Sequence, residues 1–295
     1  MPRGMIRRIT GVAHRYVGPD GAPPSGLAVP AAERALAESG VRAADLDLII
    51  FAAISSDLLE PATAHVVSAR LGATCPAFDV KNACNGFLSG LETGDALIRT
   101  GAYRRVLVCC GERLTPFASV PVTGPGDFMD SMARYTISDT GAAVLLEAAD
   151  EPGLLGFDMR AVSSAWTAGA VPLPGAPWRT PPRRFDLPAM TRTAFGLATR
   201  PPTPSGGHPA AVGADVSLCC AHIANEATAE DVCAAVGIPR ARLTTTITTH
   251  GNTGSATLPL QLDLALREGR VSRGDTVLLV GVASGVSLGF LRLRL

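Results

Sequence analysis

Short apolar runs alternate along the chain with longer stretches in which apolar and polar positions recur at helical spacing. That alternation predicts strands joined by crossover helices, the pattern of an α/β protein. Strands are expected at DLIIFAAI, PAFDV, RRVLVCCGE, GAAVLLEA, DVSLCCAH, RLTTTITT, DTVLLVGVA and GFLRLRL. Helices are expected at LAVPAAERALAESG, PATAHVVSARLG, NGFLSGLETGDALIRTG, IANEATAEDVCAAVG and TLPLQLDLALREG, each closing on a glycine suited to a helix C-terminus.

The pattern also repeats. DLDLIIFAAI in the first half answers ADVSLCCAH in the second, and ALIRTGAYRRVLVCCGE answers ALREGRVSRGDTVLLVGVA. A period near half the chain implies two similar α/β units packed together rather than a solenoid. The join is expected near AADEPGLLG, dividing the chain into residues 1–150 and 151–295. From Ala165 to Gly213 the sequence is proline-rich and weakly periodic, and reads as a long surface excursion. Prolines in TRTAFGLATRPPTPSGGHPAAVGA argue against a helix there.

Composition narrows the class. With 47% hydrophobic residues over 295 positions, the chain can bury a large core. Basic and acidic residues balance at 26 each, so no net field draws it to nucleic acid or to a membrane surface. Neither a signal-peptide pattern nor a membrane-length apolar run occurs, and a cytoplasmic location is expected. An odd count of seven cysteines without C-x-x-C argues against a disulfide framework. Cys109, Cys110, Cys219 and Cys220 lie inside apolar strand-like runs and read as core. The five histidines form no zinc-binding cluster, and neither a metal nor a cofactor is expected.

Three segments carry candidate chemistry. In PAFDVKNACNGF, Cys84 falls between a strand and a helix, where the positive end of the helix dipole favours a thiolate. A small buried structural thiol would suit the same neighbours. In ADVSLCCAHIANEAT, His222 stands just past a strand end, where ligands gather in α/β proteins. In TTTITTHGNTGSATLPLQ, His250 and Asn252 flank a glycine turn. Read alone, either histidine could be structural and Asn252 only a turn residue.

Together DVKNACNGF, AHIANEAT, HGNTGSATLPLQLDLAL and GDTVLLVGVASGVSLGF resemble the β-ketoacyl-acyl carrier protein synthase III branch of the thiolase superfamily, and SDTGAAVLLE resembles the strand closing its first half. The resemblance implies a duplicated, five-layered αβαβα thiolase-like fold and a homodimer. It implies Cys84 as nucleophile, His222 and Asn252 as donors to the thioester carbonyl of an extender, and the backbone N–H groups of Cys84 and Ser284 as a second oxyanion hole. The family's usual glycine run is replaced here by Ala283, Ser284 and Gly285. Glu60 stands where the family commonly places a bulky apolar residue that crosses the dimer interface, and Glu60 and Phe87 are the expected substrate contacts.

The implied reaction is decarboxylative Claisen condensation of a Cys84-bound acyl group with a malonyl-type thioester, in fatty-acid-like or polyketide metabolism. The alternative is transfer of that acyl group to an oxygen, nitrogen or sulfur nucleophile, with His222 as base. Expected partners are acyl carrier protein, coenzyme A thioesters, or both. Where this chain has RYVGPDGAPPSG, only about a dozen residues, coenzyme A-primed relatives usually carry a longer segment with a tryptophan and an arginine that hold the adenine; the tryptophans here, Trp166 and Trp178, lie far downstream, which favours a carrier-protein donor.

Overall fold

A computed structural model of the chain describes residues 4–118, 124, 126, 128, 132–171, 186–198 and 215–295. The first half runs α1 (Met5–Thr10), α2 (Pro24–Ser39), β1 (Leu48–Ala52), α3 (Thr63–Leu71), β2 (Ala77–Val80), α4 (Gly86–Arg99), β3 (Arg105–Glu112) and β4 (Thr140–Glu147). The second runs β5 (Leu154–Ala161), α5 (Leu187–Ala198), β6 (Leu218–Ala221), α6 (Ala229–Val236), β7 (Leu243–Thr244), α7 (Ile247–His250), α8 (Thr257–Arg267), β8 (Thr276–Ala283) and β9 (Ser287–Arg294).

The internal echo in the sequence is an echo in topology. The first sheet has the order β2-β1-β3-β4, with β1 parallel to β2 and β3, and β4 antiparallel to β3. The second repeats it as β7-β6-β8-β9 with the same directions, and adds β5 outside β9. β4 closes the first sheet at Glu147 and β5 opens the second at Leu154.

Five layers result. α2 and α3 cover the outer face of the first sheet, α4 and α8 lie between the sheets, and α5 packs on β8 and β9 from the far side. α6 joins the same outer core through Val232, Cys233 and Val236. This is the thiolase-like arrangement.

β1 is buried at all five positions because both faces of its sheet are covered. Burying Leu48, Ile49 and Ile50 stabilises the fold by roughly 1.5–3 kcal/mol each. α2 sits unusually close to this sheet. Gly111 and Gly141 are register partners on β3 and β4, and a Cβ at either would fall on the carbonyl oxygen of Pro24 or of Leu27. The same first turn of α2 grips the loop after β1, where Asp57 accepts from Ser25 N at 2.8 Å and from its hydroxyl at 2.6 Å.

Three expectations are corrected. RLTTTITT holds only a two-residue strand before the chain turns into α7. Threonine favours strands by shape, but here hydroxyls and carbonyls serve local bonds: His250 N donates to Thr246 O at 2.7 Å, and Thr245 Oγ1 to Glu226 at 3.0 Å. The excursion contains α5, which its prolines do not break. Pro188 falls in the first turn, where a missing N–H is harmless, and the next prolines follow the helix end. β5 was absent from the pattern because Gly156, Asp158 and Arg160 interrupt its apolar positions. Trp178 lies outside the described residues. Among those described, no helix is long and apolar enough to cross a membrane, and no cluster of His, Cys, Asp or Glu could hold a metal ion. The four strand cysteines are buried and free.

Candidate active site

The two central helices begin at one place, and the candidate residues stand around it. Cys84 lies in the turn from β2 to α4, directly after Ala83, which is in the left-handed region at φ 46°. That conformation costs an alanine about 1–2 kcal/mol and is the bend that carries the chain from strand end to helix start. Asn85, wholly buried, anchors the turn to the second half by donating from Nδ2 to Ser287 Oγ at 2.9 Å.

A helix start alone would favour the Cys84 thiolate, yet the thiol is pushed up to about 12. Burial is the main cause, and negative charge on Glu112 would add to it. The resting residue is therefore a thiol that needs a base.

His222 extends the ladder of β6, its N–H donating to Val280 O at 2.8 Å. Burial pushes the imidazole down to about 4, so the ring is neutral near pH 7. Its Nδ1 lies 2.9 Å from Thr257 Oγ1, which is also 2.8 Å from the Gly254 carbonyl. The Gly254 carbonyl also accepts from Thr257 N, and Thr257 Oγ1 also lies 2.9 Å from Thr253 Oγ1. The contacts are therefore met with the ring proton on either nitrogen, and Nε2 is an acceptor when that proton sits on Nδ1.

Asn252 is pinned by backbone to the first half: its N–H donates to Thr136 O at 2.7 Å, and its carbonyl accepts from Ser138 N at 2.8 Å. Its Oδ1 accepts from Gly254 N at 2.9 Å. The amide orientation follows from that bond and leaves Nδ2 free to donate.

Cys84, His222, Asn252 and Ser284 line one cavity of about 80 Å³. From them it runs between α5 and α6 over the outer face of the second sheet, walled by Phe195, Val232, Val236, Leu288 and Phe290. Ser284 sits in the β8–β9 turn, before Gly285 at φ 107°. Two expected contacts lie elsewhere. Phe87 is 1% exposed and belongs to the core between the sheets, because the first turn of α4 directs it there rather than to the cavity. Glu60 lies on the exposed loop between β1 and α3, joined to Pro61 by a cis peptide, and is not on the cavity wall of the single chain.

Residues the sequence reading passed over tie the site together. Glu112, at the end of β3, is fully buried and bonded to Ile54, Ser55 and Ser255. Its one visible signal was a charged residue closing an otherwise apolar run. Thr257 and Ser255, which hold His222 and Glu112, gave none beyond their place after Asn252.

A duplicated five-layered fold with cysteine, histidine and asparagine opening on a shared apolar cavity defines a thiolase-like condensing enzyme. The 3-oxoacyl-[acyl-carrier-protein] synthase III model matches residues 78–163, and that of its C-terminal part matches residues 211–295, together more than half the chain. The protein belongs to the 3-oxoacyl-acyl carrier protein synthase III family. Solved structures of OleA from Xanthomonas campestris share the fold. A glutamate-to-aspartate variant aligns with a TM-score of 0.86 at 24% identity, covering 99% of this chain and 86% of that one. A cysteine-to-serine variant with bound lauric acid and lauroyl-CoA aligns at 0.84 and 23% identity, covering 98% and 88%.

Proposed function

We propose that Cys84 receives an apolar acyl group from a thioester and that the enzyme condenses it with the carbanion from a malonyl-type thioester. The observation that carries this reading is the shared opening of Cys84, His222 and Asn252 on a cavity with an apolar wall. In the first half-reaction His222 Nε2 takes the thiol proton as sulfur attacks, and returns it to the departing thiol. The acyl chain then lies along the wall between α5 and α6.

The second half-reaction consumes a proton. Carbon dioxide leaves, the enolate attacks the acyl carbon, and the electron pair ends on Cys84 sulfur. The extender's own carboxylate favours a protonated His222 beside it. The imidazolium and Asn252 Nδ2 then donate to the enolate oxygen, and the proton passes to sulfur, restoring the thiol. Asn252 cannot titrate, so its contribution is that of a fixed donor. The Cys84 and Ser284 backbone N–H groups hold the acyl carbonyl.

The donor is an acyl thioester; the cysteine-to-serine OleA variant holds one, lauroyl-CoA. The short segment between α1 and α2 favours presentation by a carrier protein. The active unit is a homodimer joined through the edge strand β2, and Leu59, 99% exposed on the neighbouring loop, is covered by the partner.

Glu60 supports a second form of the same chemistry. It is an exposed carboxylate on the loop between β1 and α3, 24 positions before Cys84, beside the edge strand proposed to meet the partner. A carboxylate delivered there could remove an α-proton from a second acyl thioester, and carbanion formation would then need no decarboxylation.

Intact-protein mass spectrometry with a panel of acyl donors, paired with carbon dioxide release from malonyl donors, tests these readings. Cys84→Ala should lose acylation altogether. Asn252→Ala should still be acylated but condense at least about a hundredfold more slowly. Acyl labelling that persists in Cys84→Ala overturns the nucleophile assignment. Condensation of two acyl thioesters without carbon dioxide release, lost in Glu60→Ala, selects the second form. Transfer to an alcohol or amine, with no carbon–carbon bond formed, replaces condensation by acyl transfer.

A further inference from the structure

Among the described residues, Glu112 is the buried carboxylate bonded to the turn that follows Asn252, and the proposed chemistry makes no use of it. It is 0% exposed. Oε1 lies 3.0 Å from Ile54 N, 3.1 Å from Ser255 N and 2.5 Å from Ser255 Oγ, while Oε2 lies 3.2 Å from Ser55 N and 3.1 Å from Ser55 Oγ. These bonds join the end of β1, the end of β3 and the turn that follows Asn252. None of these partners is a cation. Arg113, the next residue, is turned away to Asp139. The titratable groups that face Glu112 are the Cys84 and Cys110 thiols, which a negative charge would oppose.

The hydrogens at Ser255 decide its state. Ser255 Oγ lies 3.0 Å from the Ala52 carbonyl and 2.5 Å from Glu112 Oε1. One hydroxyl hydrogen cannot serve both, and a backbone carbonyl has none to give. If Ser255 donates to Ala52, the shorter contact needs its proton from Glu112. If Ser255 donates to Glu112, the Ala52 carbonyl faces only lone pairs. The first arrangement leaves neither the Ala52 carbonyl nor Glu112 Oε1 facing only lone pairs across Ser255 Oγ, and its 2.5 Å separation suits an O–H donor.

We infer that Glu112 is a positioning residue kept as a neutral carboxylic acid, donating to Ser255 Oγ and fixing the Asn252 turn beside Cys84 without setting a charge against the thiol. Burial acts in the same direction, raising the carboxyl above its ordinary range although the surrounding N–H and O–H groups pull it down. A neutral acid removes the charge that would hold the Cys84 thiol higher still. This last consequence rests on Cys84 being the acyl acceptor; the protonation state of Glu112 does not.

Infrared difference spectra of the whole protein at pH 7.5 read that state directly. Wild type minus Glu112→Gln should show the loss of a protonated-carboxyl C=O band, and loss of carboxylate bands overturns the inference. Should Glu112→Gln fail to fold, Ser255→Ala serves instead: removing the acceptor should shift the same band, and an unmoved band overturns the inference. The rate of Cys84 alkylation by iodoacetamide at pH 7.5 gives the second readout. It should be the same in Glu112→Gln as in wild type, because a neutral group replaces a neutral group. Faster alkylation of the variant at that pH would show that a negative charge had been removed, and would also overturn it. If Cys84→Ala still accepts acyl groups, the catalytic reading falls while the infrared result stands by itself.

Discussion

Two carboxylates close neighbouring strands of the first sheet in opposite company. Glu112 is bonded to backbone N–H groups and hydroxyls alone. Asp139, just before β4, accepts from Leu114 N at 2.7 Å, Thr115 N at 2.8 Å, Thr115 Oγ1 at 2.6 Å and Gly18 N at 2.9 Å, and also from the Arg113 guanidinium. Burial works to raise both. The Thr115 and Gly18 bonds and Arg113 hold Asp139 below the usual carboxylate range, whereas Glu112 is left above it. The lesson is that the donors on Asp139, Thr115 first and Arg113 last, outweigh its burial, whereas those on Glu112 do not. His222, buried with only a threonine hydroxyl on its ring, follows Glu112 in staying neutral.

Asp139→Asn should sharpen this contrast most. It leaves the Arg113 guanidinium, only 15% exposed, without its charge partner, and should destabilise the protein by about 3 kcal/mol in denaturant unfolding. The wild-type contribution of Asp139 is present above its unfolded value near 3.8 and is lost as pH falls through the lower folded value. A stability change within error at pH 7 would break the contrast.

His222→Gln should matter next, and only in acid. The unfolded imidazole protonates below 6.5 and the folded one near 4, so wild-type stability is lost as pH falls between those values, by roughly 3 kcal/mol in all. The glutamine variant should show that much less slope in urea midpoints taken from pH 7 to pH 4. An unchanged slope would mean that the ring is charged in the folded protein.

Glu112→Gln should have a smaller effect, within about 1 kcal/mol at pH 7, because a neutral hydrogen-bonding group replaces another. Its pH signature has the opposite sign to that of His222. The Glu112 contribution is full below 4.5 and is lost as pH rises through the higher folded value, so the variant should gain on wild type as pH increases. Ala83→Gly should have the smallest effect: relief of the left-handed alanine exceeds the added chain entropy of glycine, leaving about 0.5 kcal/mol of stabilisation in thermal unfolding. A loss of stability there would show that the bend is not strained.

How much of this could be read in the sequence depended on range. β1, β3, β8 and β9 were legible because strands buried on both faces are written as unbroken apolar runs, and the duplication of the halves was legible in the same runs. Cys84, His222 and Asn252 were visible from their places after strands and before helices, and the cavity wall brings them together. The states of those residues were not visible. The rise of the Cys84 thiol comes from burial produced by elements far apart in the chain, and the ring of His222 is held by Thr257, 35 positions away. Phe87 was expected at the substrate, but a helix turns neighbouring residues to different sides, and its side faces the core. The threonines after Arg242 misled because strand propensity says nothing of where the hydroxyls will bond.

The glycine pair under α2 also limits how the enzyme can diversify. A side chain at Gly111 or Gly141 would lift the first turn of α2, and with it the Ser25 grip on Asp57. The loop beyond Asp57 carries Leu59 and Glu60, so a lesion in the sheet would surface as altered behaviour at the loop tip. Sequence variation is tolerated between Leu58 and Glu60, where side chains are exposed, and is closed at the two glycines. A library over this loop should therefore randomise the tip and hold Ser25, Asp57, Gly111 and Gly141 constant.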